Sequence, residues 1–140
     1  MPRLLVTDAF ESDLDALEAT GLQSDLDAVD AADVLIDEVA GNLDVLDVLF
    51  KPGLRDGHNP LFEVKRFEEA WQGGYNILIL KYWDFLGALA DYRIFVGYHA
   101  QKETYYVLAI THRSVAYDTG HDAYNRLLVR YRSCDIPAWR

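Results

Sequence analysis

Between Asp91 and Tyr117 the chain reads DYRIFVGYHAQKETYYVLAITHRSVAY, two β-type runs with Arg93 near the start of the first and Arg113 just past the end of the second. His112 stands beside Arg113, and Tyr117 follows four residues later. Two guanidinium groups, an imidazole and a phenol near one hairpin are parts that could hold and cleave a phosphodiester. Metal-free RNA cleavage must activate the 2′-hydroxyl, stabilise the extra negative charge at phosphorus and protonate the leaving 5′-oxygen. Arg93 and Arg113 suit the second task, because a guanidinium stays charged and can bind phosphate oxygens bidentately. His112 is the best acid or base candidate among His58, His99, His112 and His121, because imidazole titrates in the useful range. Tyr117 can donate its phenol proton, stack on a base or pack in the core. Lys81, the cation ending the run NILILK, either snorkels at a strand end or faces the working surface.

The elements that must position these groups follow from period and punctuation. Residues 3–6 (RLLV) form a short β-type run, and Thr7 or Asp8 is a natural helix cap. Phe10, Leu14 and Leu17 fall on a helical period that Gly21 stops. Residues 24–40 repeat the pattern up to Gly41, and residues 43–50 predict a third short helix ending at Pro52-Gly53. Acidic residues at 25, 27, 30, 33, 37 and 38 make the second helix acidic outside and aliphatic inside. The stretch KPGLRDGHNP, residues 51–60, reads as a loop.

The period then changes to that of strands over residues 61–67, 75–83, 92–98 and 104–110, which are rich in β-branched and aromatic residues. The segment HDAYNRLLVRY after Gly120 predicts a final helix with Arg126, Arg130 and Arg132 toward its end. The expected fold is a single α+β domain over residues 1–140. An N-terminal helical hairpin packs on a four-stranded, mainly antiparallel sheet, and a C-terminal helix closes it. If pairing continues to the end of the last strand, His112 and Arg113 point to opposite faces, so only one of them shares a face with Arg93.

Composition bounds the function. The 140 residues are 51% hydrophobic, enough for one compact domain, and no run approaches the ~20 apolar residues of a membrane span. No membrane partner is expected. The N-terminal residues show no secretory pattern, and the lone Cys134 fits a reducing cytoplasm. The net charge is −10, unevenly spread. Residues 1–70 carry seventeen acids against five bases, and residues 71–140 six against eight. Only the second half can supply the basic face that a nucleic acid requires. Glycine-rich phosphate loops are missing from the sequence, and the histidines lack the HExxH spacing. Ser114 lacks the glycine elbow of a serine hydrolase. Neither a metal nor another cofactor is expected.

FEVKRFEEAWQGGYNILILKYWD followed by DYRIFVGYHAQKETYYVLAITHRSVAYD resembles the RelE/ParE superfamily of bacterial type II toxins. In that superfamily a YRI-type strand, an aromatic-aliphatic strand and an HR…Y segment run in this order. The likeness covers about residues 61–120, with a looser fit of the preceding helices. It implies helices packed on an antiparallel sheet, and a cognate antitoxin that wraps the toxin in the bacterial cytoplasm. One branch cleaves mRNA on the ribosome and the other inhibits gyrase; a catalytically silent binding or regulatory module is the third reading. Carried over, Arg93 matches the arginine of the YR strand, Arg113 the arginine past the last strand and Tyr117 the following tyrosine. Lys81 approximates the basic position on the preceding strand, and His112 falls where some members place a histidine. The chain departs from the pattern in the long insertion YWDFLGALADY and in its acidity.

Overall fold

The computed structural model describes residues 2–47, 56–58, 62–82 and 91–137. The expected end of the third helix at 48–50, the Pro52-Gly53 turn and the insertion at 83–90 lie outside them. The chain is an α+β fold. Its described elements run β1 (Arg3–Val6), α1 (Asp8–Ala19), α2 (Gln23–Ala40), α3 (Leu43–Asp47), β2 (Asp56–His58), β3 (Phe62–Arg66), α4 (Glu68–Gln72), β4 (Ile77–Tyr82), β5 (Tyr92–His99), β6 (Thr104–His112), α5 (Arg113–Ala116) and α6 (Asp122–Ser133).

The sheet has six strands, in the order β1-β6-β5-β4-β3-β2, in place of the four expected. β2 through β6 form an antiparallel meander, and β1 adds to its far edge in parallel, Arg3 opposite Thr104 and Val6 opposite Val107. Both extra strands come from segments whose local signal is weak. β1 is four residues long, and its partner lies a hundred residues downstream. β2 sits inside a run of turn formers that was expected to be loop. Residues 3–6 are β-type by local pattern, and only tertiary pairing gives them a place in the sheet; in β2 that pairing overrides local propensity.

Helix starts and stops follow the local chemistry. Thr7 caps α1, its Oγ1 accepting from the Phe10 N–H at 3.2 Å and donating to the Val107 carbonyl at 2.7 Å. The cap therefore fixes the start of the helix and its place on β6 together. A cap of this kind contributes about 1 kcal/mol. Gly21, at φ +68°, makes the left-handed turn that separates α1 from α2.

Helices pack on both faces of the sheet. On one, Phe10, Leu14, Val29 and Leu35 of α1 and α2 pack on Val64, Leu80, Ile94 and Val96. On the other, Leu127 and Tyr131 of α6 pack on Phe67, Ile79, Phe95 and Leu108. Each fully buried side chain of this size contributes roughly 1.5–3 kcal/mol, so the two clusters hold the sheet from both sides.

Two tyrosine–aspartate bonds tie the acidic helices to the sheet. Tyr105, fully buried, donates its hydroxyl to Asp47; burial first, and then the carboxylate, pushes this phenol strongly upward. Tyr92 donates to Asp25 at 2.9 Å, and Thr20 donates to the other oxygen of the same carboxylate at 2.6 Å. The Thr20 bond and then the Tyr92 bond hold the Asp25 carboxyl below its ordinary 3.8. A depressed carboxyl adds stability that is fully present above its unfolded value and is lost as pH falls through the folded one. The stability difference between the chain and Asp25→Asn is therefore expected to be constant near neutrality and to shrink below pH 3.8. Urea melts of both proteins across pH 2–7 measure it; a difference that stays constant down to the acid end would overturn this role.

Candidate phosphate-binding face

Cross-strand register decides which candidates meet. Arg93 lies opposite Thr111, and Tyr92 opposite His112, so each pair shares a face. A one-residue irregularity sets this parity: Phe95 pairs with Ala109 and Val96 with Val107, leaving Leu108 as an extra residue in β6. Beyond it every side chain of β6 lies on the face opposite to the one an unbroken ladder would give it. Ile110 consequently joins the α1–α2 side of the core, while Ala109 joins the α6 side. His112 follows Ile110, and its ring packs edge-on against Tyr92 at 5.6 Å. It is on the opposite sheet face from Arg93.

Arg93, the second residue of β5, lies on the α6 face and is only 8% exposed. Its Nη1 donates to the Tyr92 carbonyl at 2.9 Å and its Nε to the Tyr117 hydroxyl at 3.3 Å. Tyr117, just past α5, is 38% exposed and so reachable from solvent. Lys65 of β3 places its ammonium 4.7 Å from the centre of the Tyr117 ring, a cation–π contact, and Phe67 meets the same ring edge-on at 6.3 Å. Lys65 is opposite Ile79, which is opposite Phe95, so alternation places Lys65 and Arg93 on one face across three strands. Lys81 lies opposite Glu63 on this same face, one residue beyond the Leu80–Ile94 pair.

Arg113 is 59% exposed and bonds Asp91 through Nε at 3.2 Å. Its backbone N–H donates to the Asp91 carbonyl at 2.7 Å, which fixes the end of β6 to the start of β5. Of the five candidates, the structure thus joins Arg93 and Tyr117 directly and places Lys81 on their face. It sets Arg113 at the edge in an ion pair and His112 behind the sheet.

Lys65 was not among the candidates. The alternation of FEVKR carries its signal, because Phe62 and Val64 are buried and the intervening residues must face the other way. Chemically, the face gathers three cations, Lys65, Arg93 and Lys81, beside a phenol whose oxygen accepts one N–H. Among the described residues no three His, Cys, Asp or Glu side chains gather as metal ligands, and no helix is long and apolar enough to cross a membrane. Comparison of the chain with protein-family models, with curated proteins and with solved structures finds no match.

Proposed function

We propose that the chain is the toxin of a type II toxin–antitoxin pair, a metal-independent endonuclease that cuts mRNA on the ribosome and is restrained by a cognate antitoxin in the bacterial cytoplasm. The observation that carries this reading is the Lys65–Tyr117–Arg93 group on one sheet face. Arg93 and Lys65, with Lys81 beside them, neutralise the phosphate as charge builds at phosphorus. Tyr117 carries the proton that cleavage requires. The resemblance of residues 61–120 to the RelE/ParE superfamily points the same way.

A second reading has its own support. Arg93 is nearly buried, and Arg113 is engaged with Asp91, as in a fold that keeps the residues without the reaction. The test is induced expression of the chain in bacteria lacking its partner. Growth and translation should stop, ribosome-bound messages should be cut, and Lys65→Gln should relieve the arrest while the protein stays folded. A wild-type chain that is harmless on its own would favour the silent binding module.

A further inference from the structure

A second concave surface lies along the edge of β6 that β1 leaves open, and neither Arg93 nor Tyr117 lines it. β1 covers β6 only as far as Val107, and α1 and α6 flank the strand beyond that point. The groove between them has a volume of about 390 Å³, the size range of small-molecule sites. Asp13 and Arg130 both line it, joined by two hydrogen bonds of 2.6 and 2.8 Å. Their charges cancel.

The rest of the lining is unlike the acidic surface around it. Of the five acids of α1, only Asp13 lines the groove; its neighbours on that stripe are Ala16 and Leu17. Arg126, one turn before Arg130 on α6, lines it and makes no ion pair among the described residues. His112 and His121 line it from two chain segments. Each accepts a backbone N–H at Nδ1, from Ser114 at 3.1 Å and from Ala123 at 3.0 Å. The neutral ring then carries its proton on Nε2, so both histidines offer a donor to whatever fills the groove. Leu17, Val115 and Leu127 supply apolar wall, and Tyr92 an aromatic ring.

We propose that this groove binds a nucleotide through its phosphate. His112, His121 and Arg126 give donors from three positions around the cavity, which suits the several oxygens of a phosphate. The volume exceeds what an inorganic ion fills, and the apolar and aromatic wall receives the base and sugar. The site is independent of the endonuclease reading, because none of its three donors belongs to the Lys65–Arg93–Tyr117 group.

The experiment is an NMR titration of the full chain, following the ring signals of His112 and His121 with three probes: inorganic phosphate, adenosine 5′-monophosphate and a short single-stranded RNA. The mononucleotide is expected to shift both rings in one saturable step. It should bind at least about tenfold more tightly than inorganic phosphate, and Arg126→Gln should weaken it about tenfold or more. Arg126 is exposed on a helix and glutamine is a good helix former, so that variant stays folded. Ring shifts with the RNA and none with the mononucleotide would overturn the nucleotide site in favour of a chain; shifts with both would uphold it. Rings that do not move with any probe overturn the proposal, as does binding insensitive to Arg126→Gln. Binding that Lys65→Gln weakens as much as Arg126→Gln overturns it too, by placing the phosphate on the other face.

Discussion

Asp13→Ala is expected to destabilise the chain by about 3 kcal/mol, a fall of roughly 10 °C in Tm for a domain of this size. The carboxylate receives both Nη groups of Arg130 and the Ile110 N–H, and Arg130 Nη1 also donates to the Leu108 carbonyl at 2.9 Å. The pair therefore finishes the edge of β6 where β1 stops, satisfying backbone groups that a seventh strand would otherwise seek. The side chains are 23% and 21% exposed, so solvent screens them only in part. The hydrogen bonds that the guanidinium donates to Asp13 hold it still higher than its ordinary value, against the cost of burial. Removing the carboxylate strands this charge and the Ile110 N–H together. Asp13→Asn, which can still accept from Ile110, should cost about half as much. Combining Asp13→Ala with Arg130→Met should cost less than the two single changes summed, because no orphaned charge remains. Chemical denaturation of the parent and the four variants measures this. A loss under about 0.5 kcal/mol for Asp13→Ala would make the pair an ordinary surface contact.

Tyr117→Phe is the sharpest test of the proposed reaction, with an expected loss of roughly 10²–10⁴ in cleavage rate, the contribution of one positioned proton carrier. Phenylalanine keeps the ring that Lys65 and Phe67 contact and removes only the oxygen. Arg93 loses one acceptor and retains the Tyr92 carbonyl, so the fold should weaken by about 1 kcal/mol and not collapse. Primer extension on ribosome-bound messages reads the rate, and a thermal melt in parallel reads the fold. A Tyr117→Phe protein that cuts as fast as the parent would remove the phenol from the reaction. A protein that melts out before it can be assayed is answered by Lys65→Gln, which changes a side chain only partly buried on the same face.

Local chemistry made much of the fold legible. The Thr7 cap, the turn at Gly21 and the final helix follow from residue types within a few positions of each other. The β5–β6 hairpin was legible for the same reason, as was the warning that neighbours on a strand face opposite ways. The extra residue at Leu108 was not, because a bulge is defined by what the partner strand does. It is this residue that sends His112 behind the sheet. The six-residue run of β4 is plain in sequence, but its order in the sheet depends on pairing with β3 and β5. Asp13 and Arg130, 117 residues apart, carry no mutual signal in one sequence. The two short helices α4 and α5 were missed as well, each being a turn or so that tertiary packing stabilises.

The parallel pairing of β1 with β6 also sets a timetable for synthesis. Arg3 meets a partner 101 residues downstream. At roughly 5–20 residues per second, the nascent chain spends on the order of 5–20 s with its first strand unable to dock. For about the first three quarters of that interval the aliphatic stripes of α1 and α2 lack most of the sheet they will cover, since β4 to β6 are still to be made. Such long-range closure slows folding and leaves apolar surface open to wrong partners. The dense acidic surface of the helices is well suited to that wait, because like-charged nascent chains repel one another until β6 arrives.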